Sequence, residues 1–82
     1  MLKVLVLNDD TTTMEFVARI LQDVFEKPYE EALKILLEAH NNGRASCGVY
    51  TEGRARELAD HATLVARQAG FPLQFSVADV DS

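Results

Sequence analysis

The chain has 82 residues, of which 48% are apolar, with a formal net charge of −5 and a single cysteine. This is enough apolar content for the core of one domain, and too much for a disordered tail. The acidic balance excludes the clustered Lys and Arg with which proteins hold nucleic acid or an anionic membrane surface, and it favours a cationic or neutral partner.

Leu2 to Leu7 is short, apolar and rich in valine, so it reads as a strand, and it stops at the turn-favouring Asn8-Asp9-Asp10. Thr12, followed three residues later by Glu15, forms a capping box. Phe16, Val17, Ile20, Leu21 and Val24 then recur at helical spacing. Pro28 suits the start of a second helix, and Glu30 and Glu31 complement its positive end. Ala32, Leu33, Leu36, Leu37 and His40 mark its apolar face, and Gly43 its C-terminal cap. Ala45 to Thr51 reads as a second strand, with Ala45, Cys47 and Val49 on one face and Ser46, Gly48 and Tyr50 on the other. A third helix from about Glu52 to Gln68 carries a stripe of small residues at Ala55, Leu58, Ala59, Ala62, Val65, Ala66 and Ala69, ending at Gly70. Leu73, Phe75 and Val77 alternate with polar residues in a third strand. The order β-α-α-β-α-β predicts a single α+β domain over residues 1–82: two layers, with a three-stranded antiparallel sheet under three helices.

The lone Cys47 excludes an internal disulfide and fits a reducing, cytoplasmic setting. No apolar run approaches the roughly 18 residues of a membrane span. Met1-Leu2-Lys3 leads straight into the strand, without the layout of a signal peptide.

Asn8, Asp9 and Asp10 place amide and carboxylate acceptors between a strand end and a helix start. One reading is ordinary turn chemistry. The other is a seat for a protonated amine, which offers three donors and no acceptor. An anion, the usual ligand of a helix start, is repelled by these side chains. His40 lies one turn from Leu36, at the rim of an apolar face; it is either a half-buried histidine with local partners or part of such a seat. His61 reads as an exposed helix residue. Cys47 has no paired base and orienting group in reach, so it reads as a small buried hydrophobe. No nucleophile elbow, phosphate loop or metal-ligand spacing is visible, so neither enzyme chemistry nor a cofactor is expected.

Together, Asn8-Asp9-Asp10, Thr12, Met14-Glu15-Phe16-Val17, His40, Gly43, Cys47-Gly48-Val49-Tyr50-Thr51 and Phe71-Pro72-Leu73 resemble the ClpS adaptor family. The resemblance implies a small α+β domain that binds N-degrons, protein N-termini beginning with Leu, Phe, Tyr or Trp. It implies delivery to a ClpA-type AAA+ unfoldase working with ClpP. Carried over by position, Asn8, Asp10 and His40 hold the ligand's α-amino group, with Asp9 close by. Thr12 helps to seat the ligand, and Met14, Val17, Leu36, Ala39 and Leu73 line the side-chain pocket.

The chain departs from the family pattern in four places. Leu36 stands where a Met that guards the pocket is usual, which implies a changed preference among first residues. Thr13 replaces a usual Pro. Gly53 and Leu58 lie where family members carry charges that contact the unfoldase. The tail that members carry ahead of the first strand, used in delivery, is missing before Leu2. The alternative function is a small docking module whose Asn-Asp-Asp turn is structural only; an enzyme using Cys47 or His40 is the third.

Overall fold

The computed structural model describes residues 1–81; Ser82, included in the expected domain, lies outside the described residues. Six elements follow the expected order: β1 (Leu2–Leu7), α1 (Met14–Asp23), α2 (Tyr29–Asn42), β2 (Arg44–Tyr50), α3 (Glu52–Gln68) and β3 (Gln74–Asp79). β1 is the central strand of an antiparallel sheet ordered β2-β1-β3. Its alternation decides the layering. Val4 and Val6 point into the helical layer and are completely buried, while Leu5, on the other face, lies between Ser46 and Ser76 of the neighbouring strands.

α3 lies on the sheet through Ala55, Ala59, Ala62 and Ala66, whose short side chains allow a close approach. α1 and α2 pack against each other, and α2 also packs on β2. Ile20 and Leu21 of α1 and Ala32, Leu36 and Ala39 of α2 join the same core. The fold is thus the two-layer α+β architecture expected from the sequence.

Several local expectations are corrected. Thr13, not Thr12, is the N-cap of α1: its Oγ1 accepts from the Phe16 N–H at 3.2 Å. The buried face of α2 runs through Ala32, Leu36 and Ala39, so Leu37 is half exposed and His40 is exposed. A β-bulge interrupts β2, since the register against β1 shifts between Val4 and Leu5 and passes over Cys47. The extra residue reverses the expected faces beyond it: Val49 is exposed, while Tyr50 packs against the core. Thr51 caps α3 rather than ending β2, and Ala69 is an exposed cap residue outside the stripe. Leu73 precedes β3 and is buried by what surrounds it, not by strand pairing.

Candidate functional site

The exit of β1, the start of α1, the second half of α2 and the residue before β3 meet around one cavity of about 150 Å³. Asn8, Asp9, Asp10, Thr12, Met14, Val17, Leu36, Ala39, His40 and Leu73 all line it. Val6 and Leu7 line it too; sequence reading does not single them out, although they adjoin Asn8 on the strand that leads into the site. Its lining is polar at Asn8, Asp9, Asp10, Thr12 and His40 and apolar at the other residues.

Local backbone bonds explain why distant residues converge here. Gly43 adopts a left-handed φ of 89°, which a glycine tolerates, and its N–H caps α2 by donating to the Ala39 carbonyl at 2.8 Å. The Gly43 carbonyl then accepts the Asn8 N–H at 2.9 Å. The end of α2, carrying His40, is thereby tied to the residue at which β1 stops.

The β1–α1 turn is organised by Asp9. Its Oδ2 accepts the hydroxyls of Thr11 at 2.7 Å and Thr12 at 2.6 Å, and its carbonyl accepts the Thr12 N–H at 3.3 Å. The hydrogen bond from the Thr12 hydroxyl, then that from Thr11, holds the Asp9 carboxyl below its ordinary range, so it is ionised at neutral pH. Thr12 is buried, and its hydroxyl proton is committed to Asp9. Asn8 and Asp10, on either side, are exposed and line the cavity.

Leu73 is held from two directions. Arg67, in the last turn of α3, donates Nη1 to the carbonyls of Phe71 at 2.9 Å and Leu73 at 2.7 Å. The Phe71 ring packs on Phe16 of α1, with centroids 4.7 Å apart. Neither Arg67 nor Thr11 is marked by spacing or composition; only the folded chain shows what they hold.

The polar residues of this lining can accept hydrogen bonds from a cation, and its apolar residues can enclose an apolar group. It offers no covalent chemistry. Cys47 is buried away from the cavity, and burial pushes its thiol up to about 12, against the smaller opposing effects of the Lys27 charge and a Val6 backbone hydrogen bond. Among the described residues no cluster of His, Cys, Asp or Glu could hold a metal ion, and no helix is long and apolar enough to cross a membrane.

Residues 1–76 match the family model described as ATP-dependent Clp protease adaptor protein ClpS. The chain is similar to the ATP-dependent Clp protease adapter protein ClpS of Paraburkholderia phymatum and to that of Burkholderia thailandensis. Each is 50% identical over 74 residues, covering 90% of this chain and 71% of the relative. It is also similar to the solved structure of Agrobacterium tumefaciens ClpS2 bound to L-phenylalaninamide, with a TM-score of 0.91 and 36% identity over 94% of this chain and 93% of that one.

Proposed function

The chain belongs to the ClpS family of Clp protease adaptors, and on that premise we propose that it captures proteins by a free N-terminus beginning with Leu, Phe, Tyr or Trp and delivers them to a ClpA-type unfoldase working with ClpP. It is an adaptor and not an enzyme: its cargo leaves chemically unchanged. The observation that carries the reading is one cavity whose lining combines polar and apolar residues from four parts of the chain. L-phenylalaninamide, present in the similar structure, has the three features of an N-terminal phenylalanine: a free amine, a benzyl side chain and an amide in place of the first peptide bond.

In this reading the ammonium donates its three protons among Asn8 Oδ1, the Asp10 carboxylate and a ring nitrogen of His40. The ionised Asp9 adds negative potential beside it. A protein α-amine has an ordinary pKa near 8, so it is mostly charged at pH 7. A hydrogen bond to a charged group contributes about 1.5–3 kcal/mol. Burying a Leu or Phe side chain between Val17, Leu36, Ala39 and Leu73 contributes about 1.5–3 kcal/mol more. Neither suffices alone, and together they support an affinity of roughly micromolar order. Because the partner protease is ATP-dependent, the reading places this work in the cytoplasm.

Titrating a fluorescent peptide that begins with Phe, and then its N-acetylated form, tests the reading. Only the free amine should bind, because acetylation removes the charge and leaves acceptors without donors. Asn8→Ala and His40→Ala should each weaken binding by about 1 kcal/mol or more with an unchanged circular dichroism spectrum. Equal binding of both peptides, or parental affinity in both variants, contradicts the assignment of the amine seat.

A further inference from the structure

A second concavity adjoins the first. A groove of about 590 Å³ runs between α1 and the first half of α2, and Met14 and Leu36 line both it and the cavity of about 150 Å³. Ala18, Tyr29 and Leu33 complete its apolar lining. Ala18 is small and buried, Leu33 is half-buried, and Tyr29 is 59% exposed. Leu37, one turn after Leu33 on α2, is exposed as well. Apolar surface therefore continues from the cavity along the two helices, with Met14, itself half exposed, common to both spaces. Glu15, Arg19 and Asp23 follow one another at one-turn spacing along the groove, and among the described residues no ion pair joins them. Two carboxylates against one guanidinium make this rim acidic.

We propose that this groove holds the stretch of the captured chain that follows its first residue, and that it selects an apolar side chain at the third position. The inference rests on the N-terminus reading above and extends it from the chain end to the residues behind it. A first residue seated in the cavity still carries the rest of its chain, which has to lie along the surface. The groove shares two lining residues with the cavity, so it begins where that seat ends. Its length fits an extended segment. The α1 residues that line it run from Met14 to Asp23, about 14 Å of helix at roughly 1.5 Å per residue. An extended chain advances about 3.3 Å per residue, so about four residues span that length. Side chains alternate along such a segment. With the first turned into the protein, the third turns the same way, towards Tyr29 and Leu33, and the second faces solvent. Met14 is unbranched and flexible, so it can shift to let the backbone pass.

The test uses peptides that begin with Phe, continue with Ser and carry a dye at the C-terminus, titrated by fluorescence anisotropy. Leu in place of Ser at the third position should tighten binding about fivefold, because the open groove covers the side chain only in part. Leu at the second position should change binding by less than about twofold. Asp at the third should bring no gain, since the rim is acidic. Tyr29→Ser combined with Leu33→Ser should erase the gain from the third-position Leu. L-phenylalaninamide, which has no third residue, should displace the all-Ser peptide from this variant as well as from the wild type. Tyr29→Ser alone, at an exposed position, should reduce the gain, and it serves as the test if the double variant does not fold. The inference is overturned if Leu at the third position brings no gain, or if the gain survives both sets of substitutions. It is also overturned if the chain forms dimers that these substitutions disperse, which would give the groove to a second copy. If L-phenylalaninamide does not bind the wild-type chain, the N-terminus reading itself fails, which is a different result.

Discussion

Asp9 shows how a residue suited to one role can serve another. From the sequence it is one of three candidate acceptors for an amine. In the fold its Oδ2 already receives two hydroxyl protons, from Thr11 and Thr12, so it shapes the turn that displays Asn8 and Asp10 and supplies charge from behind them. Its folded pKa lies below the ordinary 3.8. The carboxylate therefore contributes stability that is fully present above the ordinary carboxylate range and lost as pH falls through the lowered value. Comparing melting temperatures of the wild type and Asp9→Asn from pH 7 downwards checks this. The wild type should be the more stable at pH 7, and the gap should close in strong acid. A gap that persists unchanged at pH 2 shows that the ionised carboxylate does not hold the turn. The role of Asp9 was only half legible beforehand: the run of Asn and Asp announces a turn, but not which oxygen each threonine finds.

At the scale of elements, periodicity located every helix and strand, because apolar spacing reports which face is buried. It failed where a local event breaks the period. The bulge at Cys47 is one, since a single extra residue exchanges the faces of Val49 and Tyr50. The end of α1, for which periodicity gave no stop, is closed by a local event too. Glu26 takes a left-handed φ of 54°, and the Lys27 N–H reaches the Leu21 carbonyl at 3.0 Å, closing the helix without the glycine that usually signals such a stop. Gly48, by contrast, is at a position that needs glycine: its φ is 145°, and a Cβ there would stand 2.6 Å from Tyr50 Oη. Gly48→Ala should therefore destabilise the fold by roughly 1–3 kcal/mol, read as a lower denaturant midpoint. An unchanged midpoint would mean that β2 can straighten at no cost. Leu73 was placed in a strand because it fits the alternation of Phe75 and Val77. What positions it is Arg67, a contact across six residues that no period encodes.

For the whole molecule, topology places the cavity at the end of the central strand. Threading β1 between β2 and β3 brings its end beside the cap of α2, and the Asn8–Gly43 backbone bond locks the two together. A net charge of −5 and the acidic turn make the approach of a positively charged chain end favourable. Sequence reading left open whether His40 joins Asn8 in one seat, and the family resemblance favoured it; their common cavity follows from the fold. The most direct measurement is a ¹⁵N NMR titration of the chain with L-phenylalaninamide and, separately, with its N-acetylated form. The account predicts that the free amine shifts the backbone amides of Asn8, Asp10, Ala39, His40 and Leu73 together, along one saturation curve, while the acetylated compound leaves them in place. Shifts clustered elsewhere on the surface, or identical shifts with both compounds, would contradict it.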